Sequence, residues 1–487
     1  MKKGSLDRFP GLALLSGVTL SLAFAGACSI QDSLLEQQQP QVISPTSVQN
    51  ATGALGQYTG ALGAFRTALN GHNNNQETIW NFEGLMTDEF KSGDTFQARN
   101  DADQRQSQSN DVTLLPAYNY VQQARGYARG AINALRQFSP GSTSQISEMY
   151  MEMGFMEMTL GQAYCGDIPL GETVGGVPVY SAGLTNAQVF ASAIARFDSA
   201  LAFNTGADAQ SVAVKQATLI AKARALVDIG NYTAAAALVP GSVVPSGYQY
   251  VITYSVTTQN NEWWKMASTL GSRRYVVADS ADALNGAPGT GTGPSLPFAT
   301  ANDPRISVLV DGKKAFDNAT PMVGFQTYAQ ADPIPLVSGV DARLIEAEAQ
   351  LNGGTNTANG GNAASWARMK QTLDSLRQFP PRIGNYQPAA MAPLPAFAVG
   401  MTAAQARAIF FREKAFWQFA RGERISDLRR LMSQYGQTAA QTWPTGNYPK
   451  GGLYGANVAL PVPQNAGNGS ETSNPLFVPA NCDPTKP

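Results

Sequence analysis

Residues that could perform catalysis or bind a metal are scarce in this chain of 487 residues, which contains a single histidine, His72. Multi-histidine zinc sites, HExxH metalloproteases and two-histidine iron sites each need more than one histidine. A Ser-His-Asp arrangement would have to use His72, which lies in a turn-like, asparagine-rich stretch at residues 70–75. We therefore do not expect His72 to be catalytic.

Acidic residues offer two further candidate sites, the pairs Asp101/Asp103 and Asp279/Asp282. Neither pair follows the spacing of an EF-hand, so we interpret both as solvated acidic loops and not as calcium sites. Composition does not exclude a pair of glycosidase carboxylates, but no local group of residues indicates one. The sequence thus predicts no metal and no cofactor.

The charge pattern gives little support for a nucleic-acid partner. The formal net charge is −1. No block of lysine and arginine is present that could follow a phosphate backbone, so we expect no nucleic acid among the partners.

The N-terminal residues 1–27 are typical of a lipoprotein signal peptide. A basic front precedes an apolar stretch that is too short to span a bilayer comfortably. Small residues then lead directly into Cys28, an order that resembles a bacterial lipobox. We therefore predict that Cys28 is lipidated. The alternative is ordinary signal-peptidase cleavage after Ala27, with Cys28 incidental.

Residues 28–48 are rich in Gln, Pro and Ser and cannot bury a core, so we interpret them as a flexible tether. Ser29 follows the cysteine where an aspartate is associated with inner-membrane retention, which favours the outer membrane. No second apolar run of ~20 residues follows. We therefore expect a protein that is anchored to the outer membrane by lipid and faces the cell surface.

Two cysteines remain if Cys28 is acylated, namely Cys165 and Cys482. In an oxidising envelope compartment these two can pair and tie the C-terminal tail to the helical body. They lie far apart in sequence, and the sequence leaves open whether they meet in space.

The body of the protein is expected to span residues 49–487 as one unit, although length alone suggests about three domains. Apolar residues spaced three to four apart predict helices in residues 49–239 and 336–435. Residues 240–335 are a loop-rich insertion, and residues 436–487 are a tail that wraps the body.

The periodicity predicts individual helices within these ranges. They are a helix after Ser47 through Leu69, then Leu115–Phe138, Ile146–Tyr164, Ala187–Phe203, Ala213–Ile229, Thr233–Leu238, Val340–Asn352, Asn362–Phe379 and Thr402–Tyr435. The turn at Asp228–Tyr232 is similar to that of a tetratricopeptide repeat, where Gly permits a left-handed cap. Strands are predicted at Val243–Tyr254 and Tyr275–Ala278. The fold class is therefore mainly α, a tetratricopeptide-like scaffold of helical pairs with a loop-rich, minor-β insertion.

One stretch, Phe411–Arg430, resembles the C-terminal signature of SusD/RagB outer-membrane lipoproteins, which closes with Gly-x-Arg-x-x-Asp-Leu-x-Arg. The matching residues are Gly422, Arg424, Asp427, Leu428 and Arg430. Other segments resemble the family in the same order: Met153–Leu170, Asp303-Pro-Arg305, Asp341–Asn352 and Leu460–Gln464. The chain departs from the pattern at Arg421 and Trp417, which weakens inference about the ligand more than inference about the fold.

On a helix, Asp427 lies three residues from both Arg424 and Arg430, so ion pairs can form along one face. Ile425, Leu428 and Leu431 mark the buried stripe. We interpret these charges as pairs that define the fold and not as a ligand site.

The resemblance implies a non-catalytic lipoprotein that captures a nutrient, a glycan or a peptide, and delivers it to a TonB-dependent, SusC-like β-barrel. Capture of a glycan needs exposed aromatic rings with polar groups beside them. The candidates in or beside predicted loops are Trp80, Trp263, Trp264, Tyr275 and Tyr328. Two alternatives stay open: a helical-repeat envelope scaffold without a small-molecule site, and a surface glycosidase.

Overall fold

The structure is a computed structural model that describes residues 49–71, 77–174, 177–279, 295–464, 474, 476, 478 and 481–487. The predicted signal peptide, Cys28, the tether and His72 lie outside the described residues. The chain divides into two units, Met1–Gly53 and Ala54–Pro487. Within the described ranges, no helix combines the length and apolarity that crossing a membrane requires.

The described residues are mainly helical. In chain order the helices are α1 (Ala51–Asn70), α2 (Ile79–Met86), α3 (Gln97–Asp103), α4 (Leu114–Phe138), α5 (Thr143–Ala163), α6 (Asn186–Phe203), α7 (Ala209–Asp228), α8 (Tyr232–Leu238), α9 (Glu262–Ala267), α10 (Gly339–Leu351), α11 (Ala363–Gln378), α12 (Ala403–Trp417), α13 (Arg424–Ser433) and α14 (Ala439–Thr442).

The strands are short and pair in twos, always antiparallel. They are β1 (Phe90–Ser92), β2 (Ile168–Pro169), β3 (Glu172–Val174), β4 (Val177–Val179), β5 (Gly183–Leu184), β6 (Gln249–Ile252), β7 (Tyr275–Val277), β8 (Val308–Leu309), β9 (Gly324–Phe325) and β10 (Ile334–Ser338). The pairs are β1–β7, β2–β5, β3–β4, β6–β10 and β8–β9.

Helix α5 lies at the centre of the helical scaffold, packed against α4, α6 and α7. Nearly all of its side chains are buried, which confirms that its methionines fill the core. Its glycines let α6 approach closely: a Cβ on Gly154 would lie 2.8 Å from the Phe197 ring, and one on Gly161 would lie 3.0 Å from the Phe190 ring. The bounds of α4 to α8 confirm the helices predicted from Leu115 to Leu238, with small shifts at their ends.

The predicted repeat-like turn is also present. Gly230 has φ +76° after the end of α7, a conformation that glycine adopts at little cost. The Asn231 side chain then accepts a hydrogen bond from the Ala234 amide at 3.4 Å and begins α8.

The single helix predicted over Thr402–Tyr435 is wrong, because α12 and α13 are separate. Between them Ala420 and Gly422 both have positive φ, 62° and 66°. A Cβ on Gly422 would lie 2.0 Å from Trp80 Cδ1, so the backbone passes directly over the indole. Because the helix is broken here, the Arg421 side chain is buried in the interior. Helical periodicity cannot reveal such a break, because the break depends on contacts with other segments.

Part of the C-terminal segment is hydrogen-bonded to the body at the end of α5. Leu460 N donates to Ala163 O at 2.8 Å, and Cys165 N donates to Leu460 O at 3.0 Å. Next to this bridge Cys165 and Cys482 form a disulfide, with their Cα atoms 5.2 Å apart.

Candidate functional site

Four of the five aromatic side chains predicted to bind a ligand are buried. Trp80, Trp263, Tyr275 and Tyr328 each expose 2% of their surface or less. A ring without an accessible face cannot stack on a sugar. The prediction of an exposed platform is therefore wrong for these four residues.

Three of the four belong to one aromatic cluster around Phe90. The Trp263 ring stacks on Phe90 with centroids 4.6 Å apart, and the Tyr275 ring is 6.3 Å from Phe90. Phe325 bridges the cluster to Tyr328, with centroid distances of 5.7 Å to Phe90 and 5.6 Å to Tyr328. Phe90 and Phe325 also contact Phe419, so the largest side chains of the loop-rich region pack into the main hydrophobic core.

Trp263 and Trp264 lie in the helix α9 and not in an extended segment, and the two side chains still differ in burial. Asn261 caps this helix by accepting hydrogen bonds from the amides of Trp263 and Trp264 at 3.0 and 3.4 Å. Trp263 faces inward and Trp264 is half-buried. Trp264 thus remains a proposed ligand contact.

The residues of the family-like signature form a buried charge cluster, here called the signature core: Arg421–Arg430 with Asp341, Glu348 and Lys414. Arg430 pairs with Asp427 at 2.6 Å and contacts Glu348 at 3.2 Å. Arg421 pairs with Asp341 at 2.6 Å, which gives this departure from the family pattern a structural role. The predicted Asp427–Arg430 pair and the burial of Ile425, Leu428 and Leu431 are confirmed.

The signature core has no room for a nutrient. Its cavity measures about 20 Å³, space for about one water molecule. Burial raises the pKa of Glu89 to about 8 and that of Glu423 to about 7, although nearby arginines oppose the shift. Carboxylates held partly neutral in a closed interior serve packing and charge balance, not capture.

A different group of side chains meets the requirements for capture at the surface. It comprises Phe96, Arg274 and Phe316, here called the aromatic platform. Phe96 is 50% exposed and Phe316 is 41% exposed. The guanidinium carbon of Arg274 lies 5.3 Å from the Phe96 centroid and 3.7 Å from the Phe316 centroid. A cation at these distances is attracted to both rings.

Backbone hydrogen bonds join the three segments that carry the platform. Gly93 N donates to Arg274 O at 2.8 Å, continuing the β1–β7 ladder. Phe316 N donates to Arg273 O at 3.0 Å, and Asp317 N donates to Gly93 O at 2.8 Å. Gly93 is required at this junction, because a Cβ there would lie 2.4 Å from the Ala315 Cβ.

Asp94 organises the side chains of the platform. Its carboxylate accepts the amides of Thr95 and Phe96 at 2.7 and 3.2 Å, which turns the chain so that it presents the Phe96 ring. It also accepts Arg274 at 2.7 Å and pairs with the buried Arg99. Burial by itself would raise the pKa of Asp94, but the hydrogen bonds and charges of the two arginines outweigh it and hold the pKa below its ordinary value.

One acidic residue near the platform, Asp103, has clear structural contacts. Asp103, which the sequence placed in a solvated loop, is buried in α3 and accepts the Ser92 amide at 2.8 Å and the Tyr448 hydroxyl at 2.7 Å. Among the residues that the structure describes, no three His, Cys, Asp or Glu side chains are grouped to hold a metal ion.

Sequence reasoning missed the aromatic platform. Phe96 and Phe316 are single phenylalanines in loops, and Arg274 comes from a third segment, so no local pattern joins them. One local signal was present: Asp94, two residues before Phe96, is typical of a turn that a carboxylate caps.

Comparison by sequence yields no relatives. No family model matches the chain, and no curated protein matches it significantly.

Comparison by structure gives consistent matches. A SusD-like carbohydrate-binding protein from Bacteroides fragilis aligns with a TM-score of 0.58 and 13% identity, covering 86% of this chain and 98% of that one. A SusD-like carbohydrate-binding protein from Bacteroides vulgatus aligns with a TM-score of 0.53 and 12% identity, covering 81% and 86%. A SusD/RagB family protein from Bacteroides thetaiotaomicron aligns with a TM-score of 0.53 and 13% identity, covering 81% and 90%. The chain therefore has the SusD-like, mainly helical fold, as its motifs predicted.

Proposed function

We propose that this protein is a non-catalytic lipoprotein of the outer membrane that captures a glycan and delivers it to a TonB-dependent, SusC-like β-barrel. One observation supports glycan capture most directly: Phe96 and Phe316 are both partly exposed, and both lie within cation–π distance of Arg274. Two of the structural neighbours are described as carbohydrate-binding proteins.

The chemistry of the platform suits a neutral sugar. The apolar C–H face of a sugar ring packs on an aromatic face, while its hydroxyls need polar partners at the rim. The charge of Arg274 is already balanced by Asp94 at 2.7 Å. The platform therefore offers apolar ring faces with a compensated cation between them, and we favour a neutral glycan over an acidic one.

A purely structural scaffold and a glycosidase fit these observations less well. A protein that acts only as a scaffold does not need two exposed phenyl rings held beside the Arg274–Asp94 ion pair. A glycosidase needs two carboxylates free to act on one bond, whereas Asp94 is paired with two arginines and Asp317 with Lys450.

The lipid anchor and the transporter are proposed from the sequence resemblance. Cys28 lies outside the described residues, so the anchor needs its own test. Palmitate labelling and membrane fractionation of the Cys28→Ala variant would provide it, and loss of label together with release from the membrane is expected. Copurification of a β-barrel with the unaltered protein would test the transporter.

Glycan capture is tested by calorimetric titration with neutral oligosaccharides: maltoheptaose, cellohexaose, xylohexaose and mannohexaose. We expect Phe96→Ala and Phe316→Ala each to weaken binding at least about tenfold, because each removes one stacking face. The matched control is Phe379→Ala, since Phe379 is also exposed, at 77%, but lies at the end of α11. Unchanged binding in both platform variants would show that the platform is not the binding site. Binding of peptides but of no glycan would show that the ligand is a peptide.

A further inference from the structure

A segment of the C-terminal tail runs along the loop that carries Phe96. We call residues 448–457 the strap. The Tyr448 hydroxyl donates to Asp103 at 2.7 Å, and Gly455 N donates to Gln104 O at 2.7 Å. Gln104 Nε2 donates back to Leu453 O at 2.7 Å. The strap is thus hydrogen-bonded to α3 and the residue after it at several points.

Lys450, within the strap, connects the two loops that carry the platform rings. Its ammonium donates to Asp94 O at 2.9 Å and to Asn100 Oδ1 at 3.0 Å. It also pairs with Asp317 Oδ2 at 3.0 Å. An ammonium has three protons to donate, and these three acceptors match that number. Two of the acceptors lie within the Phe96 segment, and the third follows Phe316 directly.

We infer that Lys450 is a positioning residue for glycan binding, one that fixes the distance between the Phe96 and Phe316 rings without touching the glycan. The inference rests on the proposed function. Its physical basis is the entropy lost on binding. Two rings carried on loops bind one ligand with a small loss of entropy only if the distance between them is already fixed in the free protein. Lys450 adds a side-chain constraint to the backbone hydrogen bonds between these segments, and it comes from more than 130 residues beyond Phe316 in the chain.

Asp317, the carboxylate partner of Lys450, is suited to an ion pair that persists at all relevant pH values. Hydrogen bonds from Thr320, from nearby amides and from Lys450 outweigh the effect of burial and hold the pKa of Asp317 at about 2. Asp317 is therefore charged at any pH at which the protein would meet a glycan. The Lys450 side chain keeps 24% of its accessible surface, so removal of its charge does not leave a sealed cavity.

Hydrogen exchange of the Lys450→Met variant tests the positioning role directly. We expect exchange to accelerate about tenfold in peptides that cover residues 93–103 and 311–320, because hydrogen bonds from a charged donor are lost. Peptides from α5 should exchange as in the unaltered protein. Lys450→Arg should restore slow exchange, since guanidinium can also donate to several acceptors. The matched control is Lys486→Met, which removes an exposed lysine that pairs with Asp483 at 3.0 Å.

Titration with the same four oligosaccharides completes the test. Lys450→Met should bind about tenfold more weakly, and Lys450→Arg and Lys486→Met should bind normally. Unchanged exchange in the two platform peptides overturns the inference, as does uniform acceleration across the chain, which indicates general destabilisation.

The two proposals can fail separately. If Phe96→Ala weakens binding but Lys450→Met does not, the inference is wrong and the proposed function stands. If neither Phe96→Ala nor Phe316→Ala affects binding, the platform is not the glycan site and the inference falls with it, and slower or faster exchange in Lys450→Met then reports only on the order of the loops. If no oligosaccharide binds the unaltered protein, the proposed function fails.

Discussion

The signature core and the aromatic platform are built from the same kinds of side chain, with opposite results. Both combine arginines and carboxylates and lie against aromatic rings: in the core, Arg424 and Arg430 lie 5.4 and 5.8 Å from the ring centroids of Phe298 and Phe411. In the core, the side chain of Arg430 keeps 5% of its surface and that of Glu348 keeps none. In the platform, the rings of Phe96 and Phe316 are exposed by 50% and 41%. Burial, and not composition, decides which cluster can meet a ligand.

The carboxylates of both regions show what decides their pKa values. Burial raises the pKa of Glu89 and Glu423 in and beside the core, but paired arginines outweigh burial at Asp341 and Glu348 and hold their pKa values below the ordinary range. In the platform, hydrogen bonds and arginine charges outweigh burial at Asp94, and hydrogen bonds do so at Asp317, so both have lowered pKa values. We conclude that the partners of a carboxylate, and not the region in which it lies, decide whether it keeps its charge, and that the platform uses such charges to hold two loops in place.

The largest expected effect comes from breaking the core. Arg430→Met leaves Asp427 and Glu348 buried without this partner, so we expect a loss of about 3–5 kcal/mol in the free energy of unfolding. Arg274→Met in the platform should cost less, about 1–2 kcal/mol, because Asp94 keeps Arg99. Urea unfolding measures both variants, and equal losses would contradict the distinction between the two regions.

The adjacent residues Trp263 and Trp264 allow a second comparison, between a buried and a half-buried side chain within the helix α9. Trp263→Ala removes a fully buried indole that stacks on Phe90 and should cost about 3–5 kcal/mol. Trp264→Ala should cost about 1 kcal/mol, because that side chain is half-buried. If Trp264→Ala weakens oligosaccharide binding while Phe96→Ala does not, the platform would have to be placed around α9.

Removal of the Cys165–Cys482 disulfide tests whether its link to the tail stabilises the body. Replacing Cys165 and Cys482 together by alanine should lower the free energy of unfolding by about 2–4 kcal/mol, since the cross-link restricts a long loop in the unfolded chain. Unfolding of the unaltered protein in reducing agent should show a similar loss, which controls for the loss of packing at the two side chains. A double variant as stable as the unaltered protein would show that the tail is held by its other contacts.

The smallest expected effect is a dependence on pH. A carboxyl whose folded pKa is raised contributes stability that is complete below its unfolded pKa and is lost as the pH rises through the folded pKa. With the pKa of Glu89 at about 8 and that of Glu423 at about 7, the protein should be less stable at pH 9 than at pH 6, by at least about 1 kcal/mol. Glu89→Gln should reduce this difference.

Asp94 and Asp317 serve as the internal control for that experiment. Their pKa values are lowered, so their contribution is present above the unfolded pKa and is lost only as the pH falls through the folded value, about 2 for Asp317. Between pH 6 and pH 9 their contribution should stay constant. Exchange rates in residues 93–103 should therefore not change over this range beyond the intrinsic effect of pH.

Much of the fold could be predicted from the sequence, because long helices carry a repeated local signal. The apolar periodicity of α4 to α8, α10 and α11 located those helices to within a few residues. The charged signature was correctly interpreted as structural, because residues three apart on a helix must be neighbours. The break between α12 and α13 was missed, since the interaction that requires it is the contact of Gly422 with Trp80.

The candidate site could not be predicted, and the reason is physical. Aromatic residues in a loop-rich region were expected to be exposed, yet this region packs Trp263 and Tyr275 around Phe90 as a core. Of the two exposed rings, Phe316 carries no signal in the chain that separates it from any other phenylalanine, and the turn-forming Asp94 before Phe96 indicates a turn but not an exposed ring.

The sequence by itself determined the helical scaffold and the Asp427–Arg430 ion pair, because each depends on spacing along one segment. The SusD-like fold was indicated by the resemblance of several short motifs to a family, and the structural comparison confirms it. Tertiary structure decided which aromatic rings are exposed, that Cys165 meets Cys482, and that Lys450 reaches both platform loops. Burial and distance belong to pairs of segments far apart in the chain. No spacing within one segment can specify them.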